Sequence, residues 1–433
     1  MHSPTTALPE LRIPPLIKRN TLLFALSQSF TGAGMQFAYG LGPLMVIALT
    51  QSSSLAGLSV GLIGLSRFLV AYPIGKITDT YGRKPGIFLG LALAMVGAVG
   101  VGAAMSFHSI VLLVGGMLVF GMGMNAAQQL RVAATDMFPP QLRAQALGYV
   151  ALGSLVGLVL SPIVIGGAEA FAQSVGQDPL GLPWLLLPGL ILPGMILVAM
   201  VHPDPKEIGM RLEEYYPGHV PRTAAPAGDR STFSARRLFG HRETRLAIVS
   251  NCAAQGNMSI IMVLTSLVLA HHGHSLLAIA ASHVFHTAGM FAFTIPLGKL
   301  ADRFGRDKVM YPGVATTLVG AGLVAFGTTY VWVTIGTFLV GIGWAAANVA
   351  ATALIADHAP TAERGRAIGV NDSCAGATSV FAALVTGPLI EWSGLPAAGL
   401  TAVLLALVPL LMFFADRIQE QTSPKEGSGL GET

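Results

Sequence analysis

Apolar runs of roughly twenty residues recur along this chain, and no other feature narrows its possible folds as much. At 1.5 Å per residue such a run crosses a hydrocarbon core of ~30 Å. In lipid a helix satisfies its own backbone hydrogen bonds, which an open strand cannot do. The runs predict six spans at about 21–49, 54–75, 85–106, 109–131, 145–170 and 181–201. Six more follow at about 244–270, 275–297, 309–328, 331–356, 367–390 and 395–415. Only 11% of the 433 residues are charged, against about 25% in a soluble domain, too few to cover a water-exposed surface. The expected organisation is an N-terminal tail (1–20), a six-helix bundle (21–201), a linker rich in Pro, Arg and Glu (202–243), a second six-helix bundle (244–416) and a polar tail (417–433).

Lysine and arginine fix the orientation, because they accumulate on the cytoplasmic side of short loops. With the N-terminus inside, all of the 25 Lys and Arg residues except Arg67 fall in the tails, in the linker and inner loops, or at the inner ends of spans. Both termini are therefore expected in the cytoplasm. The net charge of +4 reads as membrane topology, and no nucleic-acid partner is expected. The two cysteines, Cys252 and Cys374, lie far apart in sequence in apolar segments, with no CxxC pattern. Pro4, Pro9, Pro14 and Pro15 break up the N-terminal segment, and no short apolar region with a cleavage site precedes the first span.

The chain repeats itself. Gly75-Lys76-Ile77-Thr78-Asp79-Thr80-Tyr81-Gly82-Arg83 matches Gly298-Lys299-Leu300-Ala301-Asp302-Arg303-Phe304-Gly305-Arg306 at an offset of 223 residues (298 less 75). The same offset aligns Arg19, Thr21, Leu23 and Ser27 with Arg242, Thr244, Leu246 and Ser250. Two parallel repeats imply a pseudo-twofold axis along the membrane normal. The duplicated G-x-x-x-D-x-x-G-R pattern after the second span of each half resembles the signature loop of the major facilitator superfamily. That resemblance implies an all-α integral membrane protein of twelve helices in two six-helix bundles, and a transporter working by alternating access. It also implies a gating role for Asp79, Arg83, Asp302 and Arg306. No nucleophile–base constellation or nucleotide loop points to an enzyme.

Four residues near mid-membrane suggest a cargo. Met258 and Met262 in span seven, and His286 and Met290 in span eight, form two i, i+4 pairs, each on one helix face. From the helix rise, Met258 and His286 lie about 15–20 Å deep. Thioether sulfur selects Cu(I) and imidazole also suits copper. Zinc calls for thiolate or carboxylate as well, and magnesium for oxygen. The M-x-x-x-M and H-x-x-x-M pair is similar to the paired motif of CcoA-like bacterial copper importers. The resemblance implies copper import across the bacterial inner membrane for cytochrome oxidase assembly, with a copper chaperone as a partner beside the lipid bilayer. Copper would be cargo, and no resident cofactor is expected.

Other residues leave alternatives open. His271, His272 and His274, in the outer loop between spans seven and eight, could collect copper or simply be solvated. The repeat offset relates Met35 to Met258, Tyr39 to Met262, Ile63 to His286 and Arg67 to Met290. Met35 and Tyr39 thus become candidate cargo contacts. Arg67 would repel a cation and better suits an anionic organic molecule. Asp372 is a candidate proton carrier or a helix N-terminal acid stabilised by the helix dipole and by Arg364 or Arg366. The competing readings are a proton-coupled transporter of a small organic solute such as riboflavin or a drug, and a sensor that binds without flux.

Overall fold

The computed structural model describes residues 13–139, 142–217, 234–358 and 364–422. Among these no strand occurs, and twelve helical stretches are long and apolar enough to cross a membrane. Spans one to six are Pro15–Thr50, Ser53–Val70, Arg83–Ser106, Ile110–Asp136, Leu152–Val175 and Leu182–Ala199. Spans seven to twelve are Arg242–His271, Leu276–Phe304, Asp307–Phe326, Tyr330–Ile355, Ala367–Ser393 and Leu395–Ala415.

Local chemistry sets several of these bounds. The Ser109 and Ser275 hydroxyls cap their helices by accepting from the amides of Leu112 and Ala278. Span one is two helices, Pro15–Thr31 and Gly34–Thr50, parted at Gly32 and Ala33. The helix of span two runs on to Tyr81, so most of the first signature repeat is helical and not loop. Gly82 ends it at φ 105°, and Gly305 ends the second copy at φ 104°. Only glycine adopts that conformation without strain, which accounts for a glycine at both equivalent positions.

Contacts group the chain into two compact units, Met1–Phe37 with Leu65–Asp229, and Ala38–Gly64 with Arg230–Thr433. In the first unit, spans three and four touch through glycines. A Cβ on Gly97 would lie 2.2 Å from the Phe120 amide nitrogen, and one on Gly123 2.2 Å from that of Ala94. Small residues at such crossings let helices pack without side chains between them. Trp184 is buried against Phe37 and Phe120, with ring centroids 5.9 and 4.9 Å away. Beside the first signature repeat, Asp204 accepts from the backbone amides of Arg83 (3.0 Å), Lys84 (3.0 Å) and Lys206 (2.9 Å). It thereby caps two helices at once. Asp204→Ala should lower stability by about 1–2 kcal/mol, the upper range for a lost cap; a thermal midpoint in detergent within a degree of wild type would contradict this.

The second unit repeats the crossing. Gly313 and Gly320, the equivalents of Gly90 and Gly97 at the same offset, pack span nine onto span ten. Span seven is the hub: 89% of its most apolar stretch is buried. Its Asn257 donates to the Ala402 carbonyl of span twelve (2.7 Å) and its Ser259 hydroxyl pairs with Ser379 of span eleven (2.6 Å).

Residues 38–64, from the first sequence half, belong to this unit for a steric reason. A Cβ on Gly57 would fall 1.6 Å from the Ala383 carbonyl oxygen, and one on Gly387 2.0 Å from that of Ser54. The Glu391 carboxylate accepts from the Ser54 amide (2.9 Å), the Ser52 hydroxyl (3.1 Å) and the Ser54 hydroxyl.

Candidate functional site

Span seven presents polar groups at Asn251, Gln255, Ser259 and Ser266, and two separate networks form on it within the second unit. Towards the C-terminal end of span seven, His283 is fully buried. Its Nδ1 faces the Ile279 carbonyl (2.9 Å), and its Nε2 faces the Met262 carbonyl (3.3 Å) and the Ser266 hydroxyl (3.4 Å). That hydroxyl also reaches the Tyr39 carbonyl (3.1 Å). His286, one turn along, turns Nδ1 to the Thr337 carbonyl of span ten (2.8 Å). A carbonyl only accepts, so Nδ1 carries the proton and Nε2 is left with its lone pair. Nε2 is buried with no hydrogen-bond partner among the described residues.

The second network lies nearer the N-terminal end of span seven. The Asn348 amide donates to Asn251 (3.0 Å), Asn251 to Asn371 (3.2 Å), and Asn371 to the Asp372 carboxylate (3.3 Å). One turn further along span seven, the Trp344 indole N–H donates to Gln255 Oε1 (2.7 Å). Asn251 and Asn371 are fully buried, whereas Gln255, Trp344 and Asn348 are half-buried and Asp372 is exposed. The result is an uncharged face of carboxamides and one indole, with a single acid at its edge.

The expected ligands distribute unevenly over these networks. Met258 and Met262 are buried, and Met290 is partly so. The polar link from span eight to span seven runs through His283, while His286 bonds span ten. Among the described residues no three or more His, Cys, Asp and Glu side chains are grouped to hold a metal ion. His271 and His272 are exposed with ring centroids 5.8 Å apart, and His274 leans on Tyr330 at 5.4 Å. Met35 and the exposed Arg67 fall in the first unit, and Tyr39 in the second. Asp372 accepts from its neighbour Asn371; the side chains of Arg364 and Arg366 lie outside the described residues.

The signature repeats are ion-paired in both units. Arg83 Nε meets Asp136 at 2.6 Å; Arg306 Nε meets Asp357 at 3.2 Å, and its Nη1 pairs with Asp302. The Asp302 carboxylate first, and Asp357 second, hold the Arg306 guanidinium above its ordinary pKa. The Asp79 side chain lies outside the described residues.

Sequence reasoning does not single out His283, Asp136, Asp357 or the amide cluster. A second imidazole three residues before His286 is the signal for the first. For the aspartates it is their matching places at the C-terminal ends of the helices of spans four and ten. Cys252 and Cys374, remote in sequence, pack against one cluster, and the Thr378 hydroxyl donates to the Cys374 carbonyl at 2.9 Å. A cavity of about 450 Å³ lies apart from all of this in the first unit, between spans one and five. It is lined by Leu22, Leu26, Leu152 and Val156, with Lys18 and Tyr149 also on its wall.

Known proteins place these features in context. The family profile described as Major Facilitator Superfamily matches residues 24–280 and 246–431. The chain is 28% identical over 411 residues to the uncharacterized MFS-type transporter YdeG of Bacillus subtilis, covering 93% of each chain. It is also 28% identical over 411 residues to the riboflavin transporter RfnT of Brucella anthropi, covering 91% of this chain and 96% of that one. Among solved structures, the nucleoside transporter NupG superposes with a TM-score of 0.69 at 11% identity, over 94% of this chain and 100% of that one. The D-xylose–proton symporter superposes with a TM-score of 0.67 at 15% identity, over 91% and 97%. At such identities the likeness concerns the fold alone.

Proposed function

This chain belongs to the Major Facilitator Superfamily, and on that premise we propose that this multi-pass membrane transporter carries a small organic solute by alternating access. The half-buried, uncharged face formed by Gln255, Trp344 and Asn348 carries the reading, because carboxamides and an indole suit an organic ring with hydrogen-bonding edges. Similarity along the whole chain to a riboflavin transporter supports the same cargo class and makes riboflavin the first solute to test. The lysine and arginine distribution supports an orientation with both termini inside, and the bacterial relatives support the bacterial inner membrane as its place. Coupling is to protons, with Asp372 at the edge of the amide cluster as a candidate carrier. The protein is not an enzyme; its work is done by binding and by movement.

Copper import is the second reading, and one observation favours it. His286 holds a bare, buried Nε2, the atom a soft cation would need, in the same unit as Met258 and Met262. Cu(I) is here the cargo, and a chaperone would receive it.

Liposomes containing the full chain separate the two. Saturable riboflavin uptake, retained in Met258→Leu and His286→Leu, is the expected result. Copper entry under reducing conditions that is lost in His286→Leu, without riboflavin uptake, would replace the first reading with the second. Uptake of neither would overturn the copper reading and remove riboflavin as the cargo; the first reading would then stand only on saturable uptake of another organic solute.

A further inference from the structure

We infer that Gln255 and Asn348 recognise the lactam or imide edge of a flat, uncharged heteroaromatic cargo whose ring rests on Trp344. The inference rests on the organic-solute reading and specifies its site. It follows from the direction in which each amide must point. An indole N–H can only donate, so Gln255 has to turn Oε1 towards Trp344, which leaves its NH₂ group as a spare donor. The Asp372 carboxylate is an acceptor, so Asn371 turns its NH₂ towards it and its oxygen towards Asn251. Asn251 in turn offers its oxygen to the Asn348 NH₂. The chain ends there, with the Asn348 oxygen as a spare acceptor.

One donor from span seven and one acceptor from span ten are thus held in fixed sense by bonds made behind them. The rungs Asn251–Asn348 and Gln255–Trp344 are one helical turn apart, about 6 Å. The spare donor and acceptor therefore sit on adjacent rungs. A ring carbonyl would accept from Gln255 while the adjoining ring N–H donates to Asn348. Stretches 247–270 and 336–355 contain no Asp, Glu, Lys or Arg, so an ionised edge would find no counter-charge from spans seven and ten. The half-buried Trp344 supplies an aromatic face. Such a site discriminates sharply, because a ligand missing one partner leaves a polar group unsatisfied.

The test uses binding to the purified full chain, followed by flavin fluorescence, and so does not depend on flux. Riboflavin should bind at least about tenfold more tightly than its N3-methyl derivative, which lacks the imide N–H; tenfold corresponds to one hydrogen bond of ordinary strength. Gln255→Glu keeps the acceptor for Trp344 but replaces the spare donor with an acceptor, and should weaken riboflavin by a similar factor. Asn348→Leu should abolish the preference for the unmethylated ring. If a variant fails to fold, the two flavins on the wild-type chain decide alone. Equal binding of both flavins overturns the inference, as does failure of riboflavin to bind. Uptake of a different organic solute in that case would leave the transporter reading standing.

Discussion

Valine at position 57 is expected to abolish uptake and to cost stability at the upper end of overpacking effects, about 3 kcal/mol or more. A Cβ there would sit 1.6 Å from the Ala383 oxygen and 2.5 Å from its carbonyl carbon. The obstacle is main chain, which no rotamer change can move aside. Gly387 makes the reciprocal approach from span eleven, 2.0 Å from the Ser54 oxygen. The clash would part Ser52–Gly64 from span eleven and take the three bonds to Glu391 with it. Gly75→Ala is the control, since nothing lies within 4 Å of the added atom and alanine suits a helix better than glycine by about 0.5–1 kcal/mol. Thermal unfolding in detergent with parallel uptake measures both. A Gly57→Val protein melting with the wild type would show that the two backbones do not approach so closely.

The second large effect concerns the signature repeats, and the two should respond unequally. Asp136→Ala is expected to reduce uptake at least about tenfold, equivalent to 1.4 kcal/mol. Arg83 and Asp136 are only 17% and 24% exposed, so removing the acid takes a close and poorly screened partner from the guanidinium. That costs up to about 3–5 kcal/mol when burial is complete, and less here in proportion to the remaining exposure. The equivalent Asp357 is 55% exposed, and Arg306 keeps Asp302 when it is lost. Exposed pairs contribute about 0–1 kcal/mol, so Asp357→Ala should be mild. The swap Arg83→Asp with Asp136→Arg should restore part of the lost uptake. Equal losses at both aspartates would mean that burial does not set the strength of these pairs.

The twelve spans were readable because a membrane imposes length and polarity on every helix, and their bounds fall within a few residues of expectation at most ends. Span one's interruption at Gly32–Ala33 was not, since glycines such as Gly32 and Gly34 are also tolerated inside continuous helices. Nor was the grouping of residues 38–64 with the second half, which depends on glycines at 57 and 387 meeting across more than 300 residues of sequence. The Arg83 and Arg306 repeats announced themselves by duplication, whereas their partners did not. The amide cluster shows the same limit at the candidate site. Asn251, Gln255, Trp344, Asn348 and Asn371 are each unremarked in an apolar span, and only the register between spans seven, ten and eleven brings them together. His286 is visible through its spacing to Met290, whereas His283 stands at no i, i+4 spacing from a methionine or histidine that would set it apart.

Span seven has a consequence for how the protein is made. It carries Asn251, Gln255, Asn257, Ser259, Thr265 and Ser266, and their partners lie mainly on spans ten, eleven and twelve. A ribosome delivers those partners only after span seven has left it. Until then the helix holds amides and hydroxyls that lipid cannot satisfy, so its settled place in the bilayer belongs to the completed chain. Nascent chains halted after span nine should therefore remain with the insertion machinery or be degraded, while those halted after span twelve are released.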